Sequence, residues 1–196
     1  MKLVAVSQRV DCYPDRAEVR DAIDQRLVAY IAAGGGLSVP VSNAMSDGGL
    51  AAWLEAVQPG AVVLSGGNDI GQHPQRDHTE QRLLSYASTH GLPVLGICRG
   101  MQMMGVWVGG KIRPVVGHIR TRHQFDGEIS GDGNSYHNHV LSECPVGYKV
   151  LARSEDGEIE AIRHATLPWE GWMWHPEREV PFSTRDIERL RALLGE

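Results

Sequence analysis

One stretch of the chain, residues 92–102, constrains the fold and the chemistry together. It reads Leu-Pro-Val-Leu-Gly-Ile-Cys-Arg-Gly-Met-Gln, an apolar run that ends in Gly-x-Cys-x-Gly and passes into a helix-favouring segment. This layout is typical of a nucleophile elbow, a tight strand-to-helix turn that lifts one side chain above the end of a sheet. Gly96 and Gly100 leave room for the turn, and Cys98 would lie at a helix N-terminus, where the helix dipole favours a thiolate. We therefore predict that Cys98 is a nucleophile, the alternative being a small buried cysteine without chemistry.

A second apolar run, residues 171–174, ends in His175-Pro176-Glu177. A cysteine nucleophile needs a base to take its proton, and that base needs an acid to fix its tautomer. If the two runs are neighbouring strands with their C-terminal ends together, His175 can reach Cys98. Pro176 would then hold the chain extended so that Glu177 turns back onto the imidazole. The alternative is an exposed His-Pro-Glu turn.

The first hundred residues alternate short β-prone runs with amphipathic helical stretches, the pattern of parallel βαβ units. We predict strands over Lys2–Val6, Leu37–Val41, Ala61–Leu64 and Leu92–Ile97, and helices over about Arg16–Ala33, Gly49–Val57, Asp77–Thr89 and from the elbow to Val108. The glycines at 34–36 should end the first of these helices, and Asp77 with Glu80 is typical of a capping box that begins the third. Ligands of such sheets bind beyond the carboxyl ends of the strands, where Gly66-Gly67 and Cys98 would both lie.

The second half contains short strands separated by Gly and Pro turns. The predicted strands are Tyr136–Leu141, Tyr148–Ala152, Ile159–His164 and Gly171–Trp174, and a final helix runs from about Thr184 to Leu194. The predicted fold class is α/β: a single domain over residues 1–196, with a central, mostly parallel sheet, helices on both of its faces and a small antiparallel β extension.

Composition excludes several classes of partner. The net charge of −5 gives no electrostatic reason to expect nucleic acid. No apolar run approaches the roughly 20 residues that span a bilayer, and the apolar start of the chain is too short for a signal peptide. The three cysteines are odd in number and widely spaced, which favours a reducing cytosol over a disulfide framework. We therefore expect a cytoplasmic protein that binds neither nucleic acid nor membrane.

Together these segments resemble the class I glutamine amidotransferase-like proteins, whose fold is flavodoxin-like, and within them the γ-glutamyl hydrolase branch (peptidase family C26). The matching pieces, in the family's order, are Ser65–Asp69, Gly96–Gln102, Ser135–His139, Asp156–Ile162 and Trp174–Glu177. The resemblance implies that Cys98 attacks a γ-glutamyl carbonyl, with His175 as base and Glu177 as its orienting acid.

The resemblance also assigns binding roles. The oxyanion would be held by the backbone N–H groups of Gly67 and Arg99. The residues implied in holding the glutamyl group are Gly66, Gln102, Tyr136, His137 and Asn138. The family needs no cofactor and no metal, so none is predicted.

A basic insert, residues 110–125, reverses the charge of the chain locally because it contains no acid. It carries Lys111, Arg113, His118, Arg120, Arg122 and His123. Such a cluster suits phosphate oxygens, the alternative being a solvated loop. Ser7-Gln8-Arg9, Arg99 and residues 117–123 are similar to the γ-glutamyl-CDP-amidate hydrolases, which release glutamate and cytidine diphosphoramidate in bacterial capsule biosynthesis. This likeness implies a phosphate- or nucleotide-bearing small molecule as the substrate, contacted by Arg9, His118, Arg120, Arg122 and His123.

Other functions stay open at this point. The same elbow would serve a glutaminase subunit that delivers ammonia to a separate synthase, a hydrolase of γ-glutamyl-putrescine or folyl-γ-glutamate, or a sensor that has lost the chemistry. His118, His123, His137 and His139 also suggest zinc, but no acidic or thiolate ligand has matching spacing, so no metal site is predicted. The sequence leaves open whether the chain forms a homodimer.

Overall fold

The structure, a computed structural model, describes residues 1–195 and is organised around one long sheet. The strands are β1 Lys2–Ser7, β2 Arg9–Tyr13, β3 Glu18–Ala22, β4 Gly36–Val41, β5 Ala61–Leu64, β6 Val94–Ile97, β7 Ile112–Pro114, β8 Ile119–Gly127, β9 Gly131–Tyr136, β10 His139–Leu141, β11 Tyr148–Ser154, β12 Ile159–His164 and β13 Trp169–Trp172. The α-helices are α1 Gln25–Ala33, α2 Asp47–Val57, α3 Pro74–His90, α4 Arg99–Trp107 and α5 Thr184–Leu194, with single 3-10 turns at Pro14–Arg16 and Pro176–Arg178.

The long sheet has nine strands in the order β4-β1-β5-β6-β13-β12-β11-β8-β9. The first five strands are mutually parallel, and the remaining four continue the same sheet as antiparallel neighbours. The predicted α/β class with a parallel centre is confirmed, although the antiparallel extension is larger than expected. Two small sheets, β2-β3 and β7-β10, lie apart from the long one.

Helices cover both faces of the parallel strands because the side chains of those strands alternate between two cores. Val4 and Val6 of β1 lie in one core with the buried residues of α1 and α5. Ala5 lies in the other, with the buried residues of α2, α3 and α4. Apolar side chains are thus buried on both faces of the sheet.

The predicted helix over Arg16–Ala33 is wrong in its first part. Strands β2 and β3 form an antiparallel hairpin there, in which Cys12 pairs with Val19, and α1 begins only at Gln25. Val19, which fits the apolar stripe of a helix, is 64% exposed. The true start is set by Asp24, whose carboxylate accepts a hydrogen bond from the Arg26 N–H at 2.9 Å, as an N-cap does.

The capping box predicted at Asp77 and Glu80 is also wrong. Helix α3 begins one turn earlier at Pro74, a residue that suits the first position of a helix because it needs no N–H partner. The two carboxylates bind arginines instead.

Smaller differences are that the predicted strand Tyr136–Leu141 is divided between β9 and β10, and that β13 ends at Trp172, two residues before its predicted end.

Among the described residues, no helix combines the length and apolarity that a membrane span requires.

Candidate active site

Three neighbouring strands of the parallel sheet end at one place. The loop Ser65–Asn68 follows β5, Cys98 follows β6, and residues 173–175 follow β13. Strand β6 lies between the other two, so the candidate residues from distant parts of the sequence meet beyond one edge of the sheet.

Cys98 occupies a strained elbow. Its φ of 53° and ψ of −107° lie in a region that non-glycine residues rarely adopt, and α4 begins at the next residue. A Cβ on Gly96 would lie 2.7 Å from the backbone of Gly100 and Met101, and a Cβ on Gly100 would overlap the carbonyl of Leu64. Both glycines are therefore required for the strand and helix to approach this closely, and Cys98 is held at the positive end of α4.

His175 is fixed from several sides. Its Nδ1 lies 2.7 Å from a Glu177 carboxylate oxygen, brought back by the 3-10 turn that begins at Pro176. Asn134 accepts the backbone N–H of His175 at 3.0 Å and donates to its carbonyl at 2.8 Å. The ring of Tyr136 packs edge-on at 5.8 Å. Because a carboxylate only accepts, the proton of a neutral His175 resides on Nδ1, and Nε2 is left for the thiol.

The thiol and the imidazole form a buried pair. Cys98 is 6% exposed and His175 2%, and the two side chains lie near enough for the charge of one to act on the other. Burial opposes the charged imidazolium, but the Cys98 thiolate and the Glu177 carboxylate outweigh it and raise the pKa of His175 to about 9. The arrangement therefore favours a protonated His175 at neutral pH. The structure thus brings Cys98, His175 and Glu177 to one place.

The loop after β5 is held by an arginine that no motif revealed. Arg76 of α3 is fully buried and donates to the carbonyls of Ser65 at 2.7 Å, Gly66 at 3.1 Å and Gly67. Gly67 has a φ of +82°, in the left-handed region that favours glycine. Arg76 thus fixes the conformation of this loop through three successive carbonyls.

A buried network of charges links this loop to the elbow. Glu80 binds Arg76 at 3.0 Å and also pairs with Arg99, which reaches Asp77 as well. Ser7 at the end of β1 donates to Glu80 at 2.8 Å and accepts the N–H of Ser65 at 2.9 Å. The side chain of Arg99 thus points into the protein, while its backbone N–H lies in the first turn of α4, where such groups have no partner within the helix.

The predicted glutamyl-binding residues lie in different environments. Gln102 is buried and donates to the carbonyl of His139 at 2.8 Å. Tyr136 is 42% exposed, with the guanidinium of Arg178 4.4 Å above its ring. Asn138 is exposed, whereas His137 is buried away from solvent.

The basic residues divide into groups. Arg9 is exposed and its guanidinium lies against Gly67, 3.4 Å from where a Cβ would be. Arg120 is exposed, and Arg122 forms ion pairs with Asp132 and Glu179. His118 and His123 turn into the protein. Acids from outside the insert therefore neutralise part of its charge.

This fold and this site define a family. The sequence profile of class I glutamine amidotransferases matches residues 18–188, and the chain therefore belongs to that family of amide-hydrolysing enzymes. The resemblance seen in the motifs is confirmed.

Individual relatives differ in what they do. A γ-glutamyl-CDP-amidate hydrolase from Campylobacter jejuni is 34% identical over 125 residues, which cover 61% of this chain and 62% of that enzyme, so the match spans less than two thirds of its length. The glutamine-hydrolysing GMP synthase subunit of Methanothrix thermoacetophila is 30% identical over 169 residues, covering 81% of this chain and 78% of that one. A solved structure from Thermoplasma acidophilum, described as a candidate GMP synthase subunit, has a TM-score of 0.73 at 18% identity over 100% of this chain and 94% of its own, which bears on the fold alone.

Proposed function

We propose that this protein hydrolyses a γ-glutamyl amide through a thioester on Cys98. The observation that carries the proposal is the buried contact of Cys98, at its strained elbow, with a His175 that Glu177 orients. Such a set activates a sulfur for attack on a carbonyl carbon.

The residues divide the reaction between them. The Cys98 thiolate forms a bond with the γ-carbonyl carbon, and the N–H groups of Gly67 and Arg99 receive the resulting oxyanion. The carbon–nitrogen bond then breaks, and the His175 imidazolium donates its proton to the departing nitrogen. The neutral His175 next takes a proton from water, whose oxygen attacks the thioester, and glutamate leaves as the thiolate–imidazolium pair is restored.

The glutamyl group would be held by the same edge of the sheet. Tyr136 packs edge-on against His175, and Gln102 donates to the carbonyl of His139, three residues after Tyr136. Gly66 packs directly against the imidazole and leaves no space for a side chain. We propose that these residues hold the substrate's carbonyl within reach of Cys98.

For the substrate, we propose γ-glutamyl-CDP-amidate, hydrolysed to glutamate and cytidine diphosphoramidate. The similarity to the Campylobacter jejuni enzyme supports this choice. So does Arg9 beside Gly67, since an exposed guanidinium next to the candidate oxyanion loop suits the phosphate on the scissile nitrogen. A cytosolic location is part of the proposal, because the reaction requires a reduced Cys98.

A second candidate is a glutaminase subunit that supplies ammonia to a separate synthase. The similarity to the GMP synthase subunit of Methanothrix thermoacetophila favours it. Both functions use the same chemistry at Cys98 and differ in the leaving group and in the need for a partner.

A substrate panel separates the candidates. Glutamate release is measured with γ-glutamyl-CDP-amidate, γ-glutamyl-putrescine, folyl-γ-glutamate and glutamine, using wild type, Cys98→Ala and the matched control Cys12→Ala, whose cysteine is exposed. We expect the highest kcat/KM with γ-glutamyl-CDP-amidate and no turnover by Cys98→Ala. Rapid hydrolysis of glutamine only on addition of a synthase would favour the second candidate, and full activity of Cys98→Ala would overturn both.

A further inference from the structure

A cluster of three histidines and one glutamate lies inside the protein. None of these four residues takes part in a step of the proposed reaction. His118, His123, His137 and Glu160 each offer one ligand atom, and these atoms all lie within 4.8 Å of one another. His118, His137 and Glu160 are each at most 3% exposed. We propose that this cluster is a metal site that binds one divalent transition cation, for which Zn²⁺ is the best fit.

Three of the four ligand atoms are spaced almost as in tetrahedral coordination. His118 Nδ1 lies 3.4 Å from His137 Nε2, and these atoms lie 3.8 Å and 3.7 Å from the same oxygen of Glu160. Ligands at about 2.0–2.1 Å from a tetrahedral zinc are separated by about 3.3–3.4 Å. Shifts of a few tenths of an ångström therefore bring the three atoms onto one ion.

The hydrogen bonds around the cluster aim lone pairs at its centre. His118 Nε2 lies 2.8 Å from a carboxylate oxygen of Asp156, and His137 Nδ1 lies 3.2 Å from the carbonyl of His139. Both partners can only accept, so each ring carries its proton on the outer nitrogen and presents a bare nitrogen to the cluster. Carboxylates and carbonyls commonly orient metal-binding histidines in this way.

Two of the facing atoms have no hydrogen-bond partner. They are the Glu160 Oε1 and the His123 Nε2, and both are buried. A buried, unpaired acceptor costs free energy, and the carboxylate of Glu160 adds a negative charge that requires compensation. A proton shared between His118 and His137 would give a hydrogen bond to those two nitrogens only, whereas one metal cation would bind all four ligand atoms.

The donor set selects the ion. Imidazole nitrogens with one carboxylate suit zinc and its neighbours, whereas calcium and magnesium require oxygen ligands. Glu160 also explains why the sequence alone predicts no metal. It stands 23 residues after His137 along the chain, and only the pairing of β12 within the sheet brings it to the histidines.

The site would act as a clamp. It links three parts of the sheet: β8 with the residue before it, the segment that follows β9, and β12. The residue before His137 is Tyr136, whose ring packs against His175. The buried position is typical of a structural ion with no open coordination position. This inference is independent of the substrate proposed above.

Metal content and spectroscopy test the proposal on tag-free, full-length protein. We expect one Zn²⁺ per chain by elemental mass spectrometry, and visible absorption typical of tetrahedral Co²⁺ after exchange with cobalt. Glu160→Gln and His118→Asn should lose stoichiometric binding. His139→Asn, which changes a neighbouring histidine outside the cluster, should keep it.

Asp156→Asn keeps the proposal testable if the variants of buried residues misfold, because the Asp156 side chain is 52% exposed. Loss of an orienting partner of this kind should weaken zinc affinity roughly 10- to 100-fold, measured by competition with a chromophoric chelator. Wild type without stoichiometric zinc after incubation with excess Zn²⁺ would overturn the proposal. So would zinc binding that Glu160→Gln and Asp156→Asn, both folded by circular dichroism, leave unchanged.

Discussion

Gly66 packs against the ring of His175, so a methyl group added there should displace the imidazole. The Cβ of an alanine would lie 2.6 Å from Cε1 of His175, whereas ordinary contacts begin near 3.4 Å. One of the two groups must therefore move by about 0.8 Å. Arg76 holds the carbonyls of the Gly66 loop, and the φ of Gly66 is not positive, so the backbone accepts alanine and the ring is the group that moves.

The expected effect follows from this displacement. A misplacement of about 1 Å at a reacting group costs about 10²-fold in rate, which corresponds to about 3 kcal/mol of transition-state stabilisation. Overpacking costs about 1–3 kcal/mol of stability, which a domain of ordinary stability survives. Gly66→Ala should therefore stay folded and lose about 100-fold in kcat/KM.

The assay pairs Gly66→Ala with Gly48→Ala. Gly48 lies in α2, and a Cβ there would meet nothing within 4 Å. The control should keep full activity and gain up to about 1 kcal/mol of stability from the better helix propensity of alanine. Alkylation of Cys98 by iodoacetamide gives a second readout that requires no substrate, and it should slow in Gly66→Ala as the thiolate loses its imidazolium. A folded Gly66→Ala protein with wild-type turnover and alkylation rates would refute the reasoning.

Four further changes test other parts of the site. Cys98→Ala should lower the pKa of His175 from about 9, seen by NMR titration of its ring. In wild type, the raised pKa stabilises the fold fully below pH 6.5, and this contribution, about 3 kcal/mol, should disappear as the pH rises through about 9. Glu177→Gln should lower kcat by up to about 10⁴-fold, because the tautomer of His175 is no longer fixed. Glu80→Gln should destabilise the fold by about 3–5 kcal/mol in urea unfolding, because it leaves buried guanidinium groups short of a charge. Arg9→Ala should raise KM for γ-glutamyl-CDP-amidate far more than for glutamine.

Matched controls come from the exposed pair of Glu18 and Arg20. Glu18→Gln should leave the free energy of unfolding unchanged, and Arg20→Ala should leave both KM values unchanged. A stability of wild type that stays flat between pH 6.5 and about 9 would contradict the proposed charge state of His175. Equal effects of Arg9→Ala on the two substrates would dismiss its contact with phosphate.

The sequence predicts the parts of this protein that depend on local chemistry. Gly-x-Cys-x-Gly identifies the elbow because only glycine fits beside a strained nucleophile, and His175-Pro176-Glu177 identifies its partner because the three residues act as a local unit. The order of strands and helices predicts where both lie, since the carboxyl ends of parallel strands share one edge. These predictions require no knowledge of packing between distant segments.

The errors arise where distant residues compete with local signals. Asp77 and Glu80 have the spacing of a capping box, but buried Arg76 and Arg99 take both carboxylates, and the helix begins at Pro74 instead. His118 and His123, which the sequence predicts as phosphate contacts, lie beside His137 in the structure. The spacing of residues along the chain does not predict these contacts, because the fold brings together residues that are distant in sequence.

The buried charges also determine how well the proposed oxyanion site is preorganised. Glu80 receives hydrogen bonds or ion pairs from Ser7, Arg76 and Arg99, which belong to three different elements. Arg76 fixes the carbonyls around Gly67, and the side chain of Arg99 anchors the residue whose N–H is the second proposed donor. Buried charges are stable only when they are fully paired. A change in the separation of the two donors would therefore break a buried ion pair of Glu80, at a large cost in free energy. We therefore expect the two N–H groups to keep their positions before any substrate binds, the condition under which backbone donors stabilise a developing negative charge most strongly.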